Sequence, residues 1–244
     1  MLEGPDLVCA AIAAGASLEA VYFDVRATAP EHPSSASALA AAAAAGVRLV
    51  ELAPGVLAKV ADAVSPQPVL GVASLPDTSL GTLPPDGFVL VLDDVRDPGN
   101  LGTAVRAADA AGCAAVVVSG NSVDVFNPKT LRATAGSVFH LPVCVAASLG
   151  EAVTALRDTG RDVLGAVVEG GTSLWAASLS QRTALVVGSE STGLSDAALG
   201  LLDGTVTIEM AGRAESLNVG VAAALVCFEA LRQRAGDRPV RRTI

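Results

Sequence analysis

Short apolar runs alternate along this 244-residue chain with stretches whose apolar residues recur every three or four positions, as strands do when they are interleaved with helices. In the first part the pattern predicts helices over Asp6–Ala14, Ser35–Ala45 and Val56–Ala63. Between them it predicts strands over Ala20–Val25, Val47–Leu52 and Val69–Ala73, making a small αβα domain over residues 1–74. From Leu75 to Gly87, three prolines and two glycines break all periodicity, which reads as a linker. The second domain, residues 88–244, repeats the alternation on a larger scale. Its strands are expected over Phe88–Leu92, Ala115–Val118, Leu141–Val145, Asp162–Val168, Ala184–Val187 and Thr205–Ile208. Its helices are expected near Leu101–Ala111, Asn127–Thr134, Leu149–Thr159, Asp196–Leu201 and Asn218–Ala235. Apolar strands between helices predict an α/β fold with a mostly parallel, doubly wound sheet, whose ligands gather at loops beyond the strand ends.

Three such loops carry candidate chemistry. The first is Asp97-Pro98-Gly99-Asn100-Leu101-Gly102, followed by Thr103-Ala104-Val105-Arg106. Read as strand, sharp loop and helix, it places Asn100 in the loop and Arg106 on the early helix. An amide and a permanent cation on one rigid corner suit a phosphate or polar substrate, although an ordinary turn with a solvated Arg has the same composition. The second is Gly188-Ser189-Glu190-Ser191-Thr192-Gly193, where two glycines let a ligand approach the backbone and Glu190 adds a carboxylate. The third runs from Ile208-Glu209-Met210-Ala211-Gly212 to Ser216-Leu217-Asn218-Val219, where Ser216 or Asn218 can serve simply as a helix N-cap.

Composition narrows these options. No uninterrupted apolar run reaches membrane-spanning length and the start lacks a basic, apolar signal core, so a soluble, cytoplasmic protein is expected. Cys9, Cys113, Cys144 and Cys227 are scattered without metal-ligand spacing and read as buried free thiols, and with only His32 and His140 no metal centre is expected. The net charge of −9 argues against nucleic acid, yet its distribution softens that argument. Residues 1–86 hold three basic and nine acidic side chains, whereas residues 87–244 hold thirteen and sixteen. Arg96, Arg106, Lys129 and Arg132 lie close in sequence, and such local clusters can contact phosphates. The tail arginines Arg232, Arg234, Arg238, Arg241 and Arg242 read as a solvated helix end.

Taken together, the three loops resemble in order and spacing the signature motifs of the SpoU family of RNA ribose 2′-O-methyltransferases, also called the TrmH family. Asn100, Gly102 and Arg106 match the first motif; Gly188, Glu190 and Gly193 match the second. Ile208, Met210, Gly212, Ser216, Leu217, Asn218 and Val219 match the third, with Glu209 where the family usually has Pro and Gly220 where it has Ser. Asn127-Pro128-Lys129 with Arg132 and Gly136-Ser137 adds to a likeness spanning residues 88–235. Residues 1–74 resemble, more weakly, the L30e-like substrate domain of rRNA-modifying members, through Glu3-Gly4-Pro5 and Ser65-Pro66-Gln67-Pro68-Val69-Leu70-Gly71-Val72. That likeness begins abruptly and implies either a start lying upstream or a shortened chain.

The resemblance implies a C-terminal trefoil knot, a fold feature outside the usual rules. It implies S-adenosylmethionine as cofactor, held around Gly188, Ile208 and Leu217 with Gly193, Met210 and Asn218 nearby. It assigns catalytic roles to Arg106, which would act on the ribose hydroxyl, to Asn100, which would position Arg106 or the ribose, and to Glu190, Ser216 and Asn218, which would shape the pocket and bond to substrate or cofactor. An arginine keeps its proton to about pH 12, so orienting phosphate and stabilising developing alkoxide is physically easier than acting as a literal base. It further implies a homodimer through the last helix, in which Arg106 of one subunit meets the cofactor of the other. The substrate expected is structured RNA, with 23S rRNA favoured over tRNA. A nucleotide-binding α/β enzyme and a catalytically silent RNA-binding protein remain rivals on the residues alone.

Overall fold

The computed structural model describes residues 1–29, 31–60, 66–179 and 182–235. In chain order the elements are β1 (Leu2–Glu3), α1 (Pro5–Ala13), β2 (Leu18–Phe23), α2 (Pro33–Ala44), β3 (Arg48–Glu51), α3 (Leu57–Val60) and β4 (Val69–Ala73). Then follow β5 (Val89–Asp93), α4 (Pro98–Ala110), β6 (Ala115–Ser119), α5 (Pro128–Thr134), β7 (Val143–Val145), α6 (Leu149–Asp158) and β8 (Asp162–Val167). The chain continues through β9 (Thr172–Ser173), β10 (Thr183–Val187), α7 (Asp196–Leu199), β11 (Gly204–Thr207) and α8 (Val219–Ala235). The alternation expected from the sequence is present. The two-residue strands β1 and β9 were not anticipated, because segments so short carry no periodicity. The expected end of the helix at Ala63, and Arg238, Arg241 and Arg242, lie outside the described residues.

Contacts divide the chain into two units, Met1–Pro76 with Phe126–His140, and Asp77–Val125 with Leu141–Ile244. The first unit has a four-stranded mixed sheet, β1-β4-β2-β3, in which only β2 and β3 run parallel. The segment Phe126–His140 was expected in the second domain but belongs here. Arg132 Nη1 donates to Glu3 Oε2 at 2.7 Å. Gly136, at φ +93°, lies where a Cβ would fall 2.6 Å from the Cβ of Ala10, so the close approach requires glycine.

The second unit has a seven-stranded sheet of order β7-β6-β5-β10-β8-β11-β9, parallel throughout. Strands β5, β6 and β10 are buried along almost their whole length, which explains their continuous Val/Leu runs. The expected linker is mostly built into this unit. Leu80 and Leu83 pack on its core, and the buried Arg161 donates to the carbonyls of Pro84 at 2.8 Å and Gly87 at 3.0 Å. Prolines erased the periodicity there without preventing burial. Arg234 also departs from a solvated helix end. It donates to the carbonyls of Ala111 at 3.1 Å and Gly112 at 3.0 Å, and so caps the last turn of α4. Among the described residues no helix is long and apolar enough to cross a membrane.

Candidate active site

The first motif sits where β5 ends. Asp94 adopts a left-handed conformation, φ 55°, and its carboxylate accepts from the backbone N–H of Asn121 at 2.6 Å. Val95 N–H donates to Ser122 Oγ at 3.0 Å, and Val123 N–H to the Val95 carbonyl at 2.9 Å. These bonds lace the β5–α4 loop to the loop after β6. Beside them, burial raises the pKa of Asp93, only partly offset by the hydrogen bond that Ser119 Oγ donates to it. Asp97 then caps α4, its Oδ1 accepting from Asn100 N–H at 2.8 Å, and Pro98 occupies the first turn. Asn100 therefore stands in the first helical turn, not in the loop where the sequence reading placed it. Asp-Pro was the available signal for a helix start.

The second motif follows β10 as a tight turn. Gly193 N–H donates to the Ser189 carbonyl at 3.0 Å, and Gly193 has φ +63°. A Cβ on Gly188 would lie 2.5 Å from the carbonyl carbon of Gly193, so the turn closes only over glycine. The turn presents Glu190 to the α4 corner. Asn100 Nδ2 donates to Glu190 Oε1 at 3.0 Å, and the N–H groups of Arg96 and Asp97 approach the same carboxylate at 3.4 Å. Burial pushes the Glu190 pKa up, but these hydrogen bonds outweigh it and hold the carboxyl below its ordinary range. Glu190 is thus an ionised, acceptor-only group at neutral pH.

The third motif brings Asn218 to the same place. Its Oδ1 accepts from Gly220 N–H at 2.9 Å and Val221 N–H at 3.3 Å, which makes Asn218, and not Ser216, the cap of α8. That bond fixes the amide's orientation and leaves Nδ2 to donate to Asn100 Oδ1 at 2.8 Å. Three loops far apart in sequence are joined in one chain, Asn218 to Asn100 to Glu190. Each asparagine amide keeps one N–H outside it.

Glu190 is also part of the wall of a cavity of about 330 Å³, within the range of small-molecule sites. Gly188, Gly193, Ile208, Met210 and Leu217 line it, together with Ser216. Asn100, Asn218 and Arg106 are not in its lining. Arg106 projects from the exposed face of α4 and makes no hydrogen bond or ion pair among the described residues. Six residues beyond Asn100, it is displaced about 9 Å along the helix and roughly 120° around it. Sequence reasoning missed the wall at Ala166, Val167 and Val168, where β8 ends. Those residues carry no polar group or glycine, and only the rule that ligands gather at strand ends pointed there.

Residues 87–228 match the model of the SpoU rRNA Methylase family. The chain is 39% identical over 183 residues to the 23S rRNA (guanosine(2553)-2′-O)-methyltransferase of Bacillus subtilis, covering 75% of this chain and 72% of that one. It is 36% identical over 197 residues to the 23S rRNA (uridine(2479)-2′-O)-methyltransferase of Streptomyces viridochromogenes, covering 78% and 69%. The crystal structure of the SpoU methyltransferase AviRb from Streptomyces viridochromogenes in complex with AdoMet superposes with a TM-score of 0.82 at 30% identity, over 95% of this chain and 89% of that one. The mixed α/β architecture and parallel sheet are therefore shared with solved SpoU methyltransferases. The chain belongs to the SpoU rRNA methylase family.

Proposed function

We propose that this protein transfers a methyl group from S-adenosylmethionine to a ribose 2′-hydroxyl of 23S rRNA, in the cytoplasm. The observation that carries the reading is the Asn218–Asn100–Glu190 chain meeting the cavity at Glu190. The cavity suits the cofactor's mixed character. Val168, Ile208, Met210 and Leu217 offer apolar walls, Ser189, Thr192 and Ser216 offer hydroxyls, and Gly188 and Gly193 leave backbone groups accessible. When bound there, S-adenosylmethionine supplies an electrophilic methyl group.

The chain's own residues orient and stabilise. Glu190 holds one N–H of Asn100, which leaves the second N–H and a carbonyl lone pair of that amide for a ribose hydroxyl. Asn218 offers its spare N–H beside it. The fixed amides place the hydroxyl without reorganisation, and Ser216 adds a further hydrogen bond at the cavity edge. Arg106 binds the adjoining phosphate and stabilises charge developing on the ribose oxygen as the hydroxyl proton passes to solvent. Displaced about 9 Å along α4 from Asn100 and roughly 120° around it, Arg106 serves the cavity of a second subunit. The dimer forms along α8, whose exposed Val221 (47%) and Phe228 (49%) fall on one stripe with the half-buried Ala224 and Leu225. The passage from β10 through β11 to α8 is threaded as the knot of this fold. The first unit, L30e-like, binds the RNA.

Incubation of unmodified 23S rRNA with the protein and methyl-tritiated S-adenosylmethionine tests the reading. Label is expected in ribose-methylated nucleosides. Binding of NAD or ATP without binding of S-adenosylhomocysteine, read by calorimetry, would replace it with a nucleotide enzyme.

A further inference from the structure

The polar chain depends on how closely α8 approaches α4, and Gly220 lies at the point of that packing nearest to it. A Cβ at Gly220 would meet Thr103 Cγ2 at 3.0 Å, Thr103 Cβ at 3.1 Å and Asn218 Oδ1 at 3.2 Å. All three separations are tighter than ordinary van der Waals contact. Gly220 is the second residue of α8 and Thr103 lies one turn into α4, so the two helices touch just beyond the site. Gly220 also carries the N–H that holds Asn218 Oδ1. The residue is buried and is not part of the cavity wall, whereas its neighbours Val219 and Ala222 are.

We infer that Gly220 and Thr103 form a positioning pair for methyl transfer: the missing side chain at 220 lets α8 seat against Thr103, which keeps Asn218 within reach of Asn100 and so orients Asn100 toward the substrate. The inference rests on the methyltransferase reading but concerns residues that touch neither cofactor nor RNA. An added carbon at such distances requires Thr103 or the start of α8 to shift by a few tenths of an ångström. The added Cβ also presses on the cap oxygen of Asn218. A bond of 2.8 Å between two fixed amides is sensitive to that displacement, and small errors of placement cost rate more than they cost binding.

The test compares Gly220→Ala, Thr103→Ile and the exchange variant Thr103→Gly/Gly220→Ala with the wild type. Methyl transfer to 23S rRNA gives kcat and KM, and calorimetry gives the affinity for S-adenosylhomocysteine. Gly220→Ala is expected to lower kcat roughly tenfold, with KM and S-adenosylhomocysteine affinity within about twofold of wild type. Thr103→Ile keeps the Cβ and Cγ2 that face Gly220 and puts an ethyl branch in place of the exposed hydroxyl beside them; a smaller loss of kcat in the same direction is expected, which keeps the test alive should Gly220→Ala not fold. The exchange variant is expected to recover most of the lost kcat. Wild-type kcat in both single variants, or no recovery in the exchange variant, overturns the inference. Absence of methyl transfer by the wild type overturns the functional reading instead. A crystal structure of Gly220→Ala then still decides the geometry. An Asn218–Asn100 separation beyond roughly 3.5 Å supports the pair, and an unchanged hydrogen bond rejects it.

Discussion

The two sides of the site are built differently. At the β5–α4 corner almost every polar group is committed. Asp94 is held by Asn121, Val95 by Ser122, Asn100 by Asp97 and Asn218, and Glu190 by Asn100 and two backbone N–H groups. Along residues 208–217 the reverse holds. Glu209 and Ala211 through Ser216 are exposed, and Glu209, Arg213, Glu215 and Ser216 make no hydrogen bond or ion pair among the described residues. A corner whose geometry is fixed beforehand suits the substrate, because orientation supplied in advance lowers the barrier. A loop with unused donors and acceptors suits a bound small molecule that it can fold around.

The strongest way to break this contrast is to remove the centre of the corner. Asn100→Ala is expected to reduce kcat by about 10²–10³-fold, the usual effect of deleting a preorganised donor, with little change in S-adenosylhomocysteine affinity. An equal loss in affinity would mean that the corner also holds the cofactor. A smaller effect is expected from Gly188→Ala, whose Cβ would meet the Gly193 carbonyl carbon at 2.5 Å. Overpacking of this kind costs about 1–3 kcal/mol, and if that strain falls on the cofactor-binding turn it corresponds to roughly 5- to 150-fold in cofactor affinity, measurable by calorimetry. Hydrogen exchange sharpens the comparison directly. S-adenosylhomocysteine is expected to slow amide exchange over 208–217 by several-fold while leaving 93–100 nearly unchanged, and the opposite pattern would invert the assignment of the two sides.

The smallest effect concerns pH. The Glu190 carboxyl is held below its ordinary range in the folded protein, so the stabilisation it gives is complete above the unfolded value, about 4.3 for a glutamate. It is lost as pH falls through the lower folded value. Titration from pH 8 to pH 6 should therefore leave S-adenosylhomocysteine affinity unaffected by Glu190. A break in that interval that disappears in Glu190→Gln would show that the carboxyl titrates there.

How much of this was legible in the sequence differs between the same regions. The parallel strands of the second unit were visible as apolar runs because both of their faces are buried, and Gly188, Glu190 and Gly193 stood out because a tight turn constrains residue type. Of the six residues expected around the cofactor, Gly188, Gly193, Ile208, Met210 and Leu217 lie in one cavity wall and Asn218 does not. The Asn218–Asn100–Glu190 chain was not legible, since spacing along the chain carries nothing about which amide faces which. Nor was the placement of Phe126–His140 with the first unit. That depends on the Glu3–Arg132 pair and on the missing side chain of Gly136, contacts between segments more than a hundred residues apart. Asp97-Pro98 did announce a helix start, and reading it as a loop moved Asn100 out of the turn it occupies.

In the proposed reaction the braced corner and the open loop together methylate a ribose of 23S rRNA. The most direct measurement is mass spectrometry of nuclease fragments of unmodified 23S rRNA after incubation with the protein and S-adenosylmethionine. One fragment heavier by a single methyl group is expected, located on ribose by its resistance to alkaline cleavage and formed far more slowly with Asn100→Ala. Methylation on a base, or none on any fragment while the protein binds S-adenosylhomocysteine, would contradict it.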